Sequence, residues 1–68
     1  MTPFHIRLRE IRVQKGKMLK DVAECLEIEL RSYQAYEGGK RQPNIEKLIA
    51  LADYFDVSLD YLMGRTDQ

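Results

Sequence analysis

Residues 19–39 read Leu19-Lys20-Asp21-Val22-Ala23-Glu24-Cys25-Leu26-Glu27-Ile28-Glu29-Leu30-Arg31-Ser32-Tyr33-Gln34-Ala35-Tyr36-Glu37-Gly38-Gly39. Leu19, Val22, Ala23 and Leu26 stand at i, i+3, i+4 and i+7, the spacing of a short amphipathic helix with one apolar face. The pattern breaks over Glu27-Ile28-Glu29, and a new helical register starts at Leu30. Three residues are too few for a wandering loop, so the two helices are joined by a tight turn. On a wheel of about 100° per residue from Leu30, Tyr33, Tyr36 and Glu37 cluster on the inward side, with Arg31, Gln34 and Ala35 on the outward side. Gly38-Gly39 ends that helix, because glycine enters the left-handed region without penalty.

The flanking segments keep the helical period. Upstream, Phe4, Leu8 and Ile11 form one stripe that runs out at Gly16. Downstream, a basic turn, Lys40-Arg41-Gln42-Pro43, leads to Asn44, a good N-cap, and to a helix with Leu48, Leu51, Ala52 and Phe55 inward. A last helix starts at Ser58, with Val57 and Leu62 placed as a hydrophobic staple, and Gly64 closes it. No alternating apolar pattern competes. The expected fold is all-α, a compact five-helix bundle forming a single domain over residues 1–68, with Arg65–Gln68 a frayed tail.

Composition narrows the function. The 68 residues are 44% hydrophobic, enough for one core and no second lobe. Eleven basic residues balance eleven acidic ones, so the chain lacks the overall charge of a protein that coats DNA indiscriminately. The charges are segregated, however. Residues 1–20 hold Arg7, Arg9, Arg12, Lys15, Lys17 and Lys20 against Glu10 alone, whereas residues 21–30 hold Asp21, Glu24, Glu27 and Glu29 with nothing basic. A lone cysteine, Cys25, allows no intrachain disulfide, which points to a reducing cytoplasm. The longest apolar run, Leu48–Ala52, is far too short for a membrane span. One histidine, one cysteine and no glycine-rich phosphate loop leave no evident metal site, cofactor, small-molecule ligand or catalytic centre.

Two helices joined by a three-residue turn have the spacing of a helix-turn-helix, which holds the outer face of its second helix in a DNA major groove. Spacing alone fits an ordinary helix pair equally well. The residues say more. Leu8-Arg9-Glu10-Ile11-Arg12, Lys15-Gly16, Asp21-Val22-Ala23-Glu24, Tyr36-Glu37-Gly38-Gly39-Lys40-Arg41-Gln42-Pro43 and Val57-Ser58-Leu59-Asp60-Tyr61-Leu62-Met63-Gly64-Arg65-Thr66 together resemble the phage-repressor and Cro-type helix-turn-helix proteins, the xenobiotic-response-element family. The resemblance spans residues 4–66.

That resemblance implies roles position by position. Met18, Leu19 and Lys20 would begin helix 2 against the phosphate backbone, with Leu19 at the position that can reach a base. Leu30, Arg31, Gln34 and Ala35 would read base edges from helix 3, and Gly39, Lys40 and Arg41 would hold phosphates in the loop after it. Arg12 and Glu37 would form a partly buried structural ion pair. Tyr61 and Met63 are the candidates for a homodimer contact near the last helix. Among the base readers, Arg31 suits guanine O6 and N7, Gln34 an adenine or a phosphate, and Leu30 and Ala35 a thymine methyl.

Three departures from the family pattern stand out. Leu19 replaces a common glutamine, Glu27 replaces a turn glycine, and Glu29 replaces a serine or threonine N-cap. A non-glycine residue held at positive φ at position 27 would cost on the order of 1 kcal/mol. Ile6 and Val13, opposite the core stripe of helix 1, are ordinary exposed apolar residues or part of a dimer contact. Cys25 reads as a small hydrophobe rather than a redox sensor, His5 as a surface side chain, and Asp53, Asp56 and Asp60 as solvated or capping groups. The expectation is a cytoplasmic regulator that binds double-stranded DNA as a dimer on a palindromic site and represses by occupancy. The alternative is a protein-interaction module that kept the fold with weak DNA affinity.

Overall fold

The computed structural model describes residues 1–67. Among them lie five helices and no strand: α1 Phe4–Gln14, α2 Leu19–Cys25, α3 Leu30–Glu37, α4 Ile45–Phe55 and α5 Leu59–Leu62. The apolar stripes meet in one core built from Phe4, Leu8, Ile11, Val22, Ala23, Leu26, Tyr33, Tyr36, Leu51, Ala52, Phe55 and Leu62. Helix α3 packs against α1 and α2, while α5 bridges α1 and α4. The central position of α3 follows from its two tyrosines, whose rings meet edge to face at 6.2 Å.

The helix ends repeat one device. At α1, Gly16 N donates to Val13 O and Lys17 N to Arg12 O; at α2, Glu27 N donates to Glu24 O and Ile28 N to Ala23 O. The same nested pair closes α3 through Gly39 and Lys40, α4 through Asp56 and Val57, and α5 through Gly64 and Arg65. Each closure needs one residue at positive φ. Glu27 and Asp56 occupy that region at 57° and 56° without being glycine. Glu27 thus adopts the conformation expected of it, and Asp56 adds a second instance.

One expectation is corrected at the chain ends. Arg7, one of the basic residues counted in residues 1–20, is only 3% exposed. Its Nη1 donates to the carbonyls of Tyr61 and Thr66, both at 2.7 Å, and its Nη2 to Thr2 Oγ1 and Asp67 Oδ1, both at 3.2 Å. The guanidinium also lies over the Tyr61 ring, 4.2 Å from its centroid. Hence residues 65–67 are not a frayed tail: Arg7 ties Thr66 and Asp67 to α1, and Thr2 N donates to Gly64 O at 3.2 Å. Gln68 lies outside the described residues. The sequence did carry a signal, since Phe4, Arg7, Leu8 and Ile11 stand at i, i+3, i+4 and i+7, placing Arg7 on the core stripe.

Candidate nucleic-acid interface

The turn between α2 and α3 sets the geometry of the site. Glu27 turns the backbone, Ile28 tucks half-buried against the core, and the α3 register begins after Glu29. No side chain caps α3: Glu29 serves through its carbonyl, which accepts from Ser32 N and Tyr33 N. Its carboxylate instead lies 3.8 Å from Arg31 Nε, both side chains largely in solvent. An ion pair so exposed contributes at most about 1 kcal/mol, so Arg31 can leave it for another partner.

Along the outer face of α3, Leu30, Arg31 and Gln34 are exposed, whereas Ala35 is half-buried. The Ala35 carbonyl accepts from both Lys40 N and Arg41 N, drawing the basic loop back toward the end of α3. Gly39, Lys40 and Arg41 are exposed, with Gly39 at φ 76° and the His5 ring packed beneath it. His5 is therefore half-buried against the loop rather than a free surface group. At the start of α2, Met18 and Lys20 are exposed while Leu19 packs partly against the core. Asp21 Oδ2 accepts from Met18 N at 2.9 Å, fixing the entry to α2.

Behind this face, Arg12 locks α3 in place. Arg12 Nε donates to Glu37 Oε2 at 2.6 Å and Nη2 to Glu37 Oε1 at 3.2 Å, while Nη1 donates to Lys17 O at 2.9 Å. The paired side chains are 15% and 8% exposed, so the bidentate pair is well shielded from solvent. One residue thereby joins α1, the loop before α2 and the end of α3. The hydrogen bond to Glu37 holds the Arg12 guanidinium above its ordinary pKa. Beside the pair, the Tyr33 hydroxyl is fully buried and finds no hydrogen-bond partner of good geometry. Burial first, and the adjacent Glu37 carboxylate second, push its pKa far above the usual range for tyrosine.

Tyr61 and Met63 lie apart from this face. Tyr61 is half-buried under Arg7, and Met63 packs partly against the core. On the outer side of α1, Ile6 and Val13 are exposed and line an open hollow of about 710 Å³. Cys25 is exposed. No helix among the described residues is long and apolar enough to cross a membrane.

Two helices joined by a closed tight turn, the second presenting polar residues outward beside an exposed basic loop, define a helix-turn-helix domain. Residues 6–68 match the family described as "Helix-turn-helix domain", and the chain belongs to it. The chain is 44% identical over 62 residues to the HTH-type transcriptional regulator AnsR of Bacillus subtilis, covering 91% of this chain and 53% of that protein. It is 37% identical over 59 residues to the cryptic phage CTXphi transcriptional repressor RstR of Vibrio cholerae, covering 87% of this chain and 53% of that one. A crystal structure of a transcriptional regulator from Listeria innocua superimposes with a TM-score of 0.86 at 35% identity, covering 96% of this chain and 61% of that chain. The chain thus spans about half the length of these curated relatives.

Proposed function

We propose that this chain is the DNA-reading domain of a cytoplasmic transcription regulator, one that acts by occupying duplex DNA and performs no chemistry. The observation that carries the reading is the pairing of an exposed polar face on α3 with a shielded bidentate ion pair, Arg12–Glu37, that fixes the orientation of that face. A helix that reads base edges has to be held rigidly, since a small tilt would displace every donor and acceptor it presents. Arg31 reads guanine, Gln34 an adenine edge or a phosphate, and Leu30 and Ala35 offer apolar contact, with Leu19 beside them. Met18, Lys20, Gly39, Lys40 and Arg41 hold the backbone on either side.

The reading extends to repression as a homodimer, with Tyr61 and Met63 near the pairing surface and half-sites about one helical turn, ~34 Å, apart. The printed names of the relatives, a regulator and a phage repressor, support regulation by binding. Selection from a random duplex library at two salt concentrations tests it. An enriched palindrome whose retention falls steeply with salt is expected. Retention without an enriched sequence, or none, would replace this reading with a protein-interaction module.

A further inference from the structure

Of the six basic residues among residues 1–20, Arg7, Arg12 and Lys17 have a visible occupation, and Arg9, Lys15 and Lys20 have none among the described residues. Arg7 is consumed by the chain ends, and Arg12 by Glu37 and Lys17 O. Lys17 Nζ lies 5.7 Å from the centroid of the Tyr54 ring. Arg9 is exposed, and among the described residues no hydrogen bond, ion pair or ring contact engages it.

Its location is specific. Arg9 borders a hollow of about 250 Å³ whose other walls are Arg12, Leu19, Gln34, Glu37 and Gly38. That hollow is where α1, the first residue of α2 and the outer face and end of α3 come together. Its electrostatics are simple. Arg12 and Glu37 neutralise each other at 2.6 Å, Leu19 and Gly38 bring no polar side chain, and Gln34 brings a neutral amide. Arg9 is the one uncompensated charge in the wall, and its guanidinium offers five donors in a planar fork suited to a phosphate.

We infer that Arg9 is a DNA-backbone contact of this chain, taking a phosphodiester into the hollow between α1, α2 and α3. The assignment rests on the DNA-reading function proposed above. Leu19, the first residue of α2 in that wall, brings no hydrogen-bonding side chain, and Arg9 supplies from α1 the donor that α2 does not offer there. A phosphate contact raises affinity alike on all sequences, so Arg9 sets how tightly the domain holds DNA, while Arg31 sets which bases it prefers.

The test measures binding of the full chain to its selected duplex, by fluorescence anisotropy across a salt series. Arg9→Ala is expected to weaken binding by about tenfold and to reduce the slope of log K against log salt by about 0.9, the value for one phosphate. Base preference in a repeated selection stays unchanged, and Arg9→Lys keeps most of the slope. Adding Leu19→Gln to Arg9→Ala recovers part of the lost affinity. The thermal midpoint of Arg9→Ala stays at the wild-type value, since the side chain has no partner to lose. An Arg9→Ala protein with wild-type affinity and slope, while Arg41→Ala loses both, overturns the assignment and leaves the DNA reading standing. A wild-type chain that binds no duplex overturns the DNA reading itself, and Arg9 with it.

Discussion

The two halves of this domain begin their helices differently. In the α4–α5 half, side chains close the helix starts: Asn44 Oδ1 accepts from Lys47 N at 2.9 Å, and Ser58 Oγ accepts from Tyr61 N at 3.0 Å. In the α2–α3 half, Met18 and Glu29 stand at the same positions and neither side chain caps its helix; α2 is closed instead from its third residue, Asp21, whose Oδ2 accepts from Met18 N, and α3 has no such partner. The turn between α2 and α3 also holds Glu27 at φ 57°, where most of the other helix ends use glycine. Each half holds one non-glycine residue in the left-handed region, Glu27 and Asp56, so the difference lies in the N-caps: α4 and α5 carry side-chain caps, and α3 leaves its cap unclaimed where DNA is proposed to bind. Sites that must meet a ligand commonly keep such costs, offset by packing elsewhere. Here the offset comes from the buried tyrosines of α3 and from Arg12–Glu37.

The contrast can be broken most forcefully from the scaffold side. Gly64 sits at φ 79°, and a Cβ there would collide with the Thr2 carbonyl, the strand of backbone that Arg7 and Gly64 hold together. Gly64→Ala is expected to cost more than about 3 kcal/mol, combining backbone strain with overpacking, and to unfold much of the population by circular dichroism at 37 °C. Asn44→Ala removes a working cap and should cost about 1 kcal/mol in urea unfolding, with its m-value unchanged. On the interface side the sign reverses. Glu27→Gly should add about 1 kcal/mol by relieving the left-handed turn, and a loss on that substitution would mean that Glu27 is held by contacts rather than strained.

The smallest effect concerns Tyr33. Its raised pKa means that the folded chain keeps a proton that the unfolded chain releases near pH 10, so this contribution is complete below about pH 10 and declines as pH rises beyond it. Tyr33→Phe should therefore flatten the alkaline limb of a stability profile. At pH 7 it should change stability by less than about 1 kcal/mol, because the hydroxyl makes no hydrogen bond of good geometry.

Much of the fold was legible because the information is local. The stripes of α1, α2 and α4 and the caps Asn44 and Ser58 each follow from spacing or residue type within a few positions, whereas the left-handed turn at Glu27 was implied only by the family resemblance. The role of Arg7 was not visible in a charge count, because its partners are backbone carbonyls 54 and 59 residues away. The tail was misread for the same reason, as nothing within 65–67 shows what receives it. His5 gave no local sign that it would lie under Gly39. The wheel placed Arg31 and Gln34 outward, and both are exposed, but it could not separate them from half-buried Ala35, whose carbonyl anchors the basic loop.

The central claim is that the half whose second helix, α3, lacks a side-chain cap is the one that meets DNA. Backbone amide shifts of the isotope-labelled chain, recorded by NMR while a selected duplex is added, test it directly. The account predicts that the largest changes fall at residues 18–20, 30–35 and 39–41 and follow the duplex concentration to saturation. Changes concentrated at the capped starts of α4 and α5, with residues 30–35 unmoved, would contradict it.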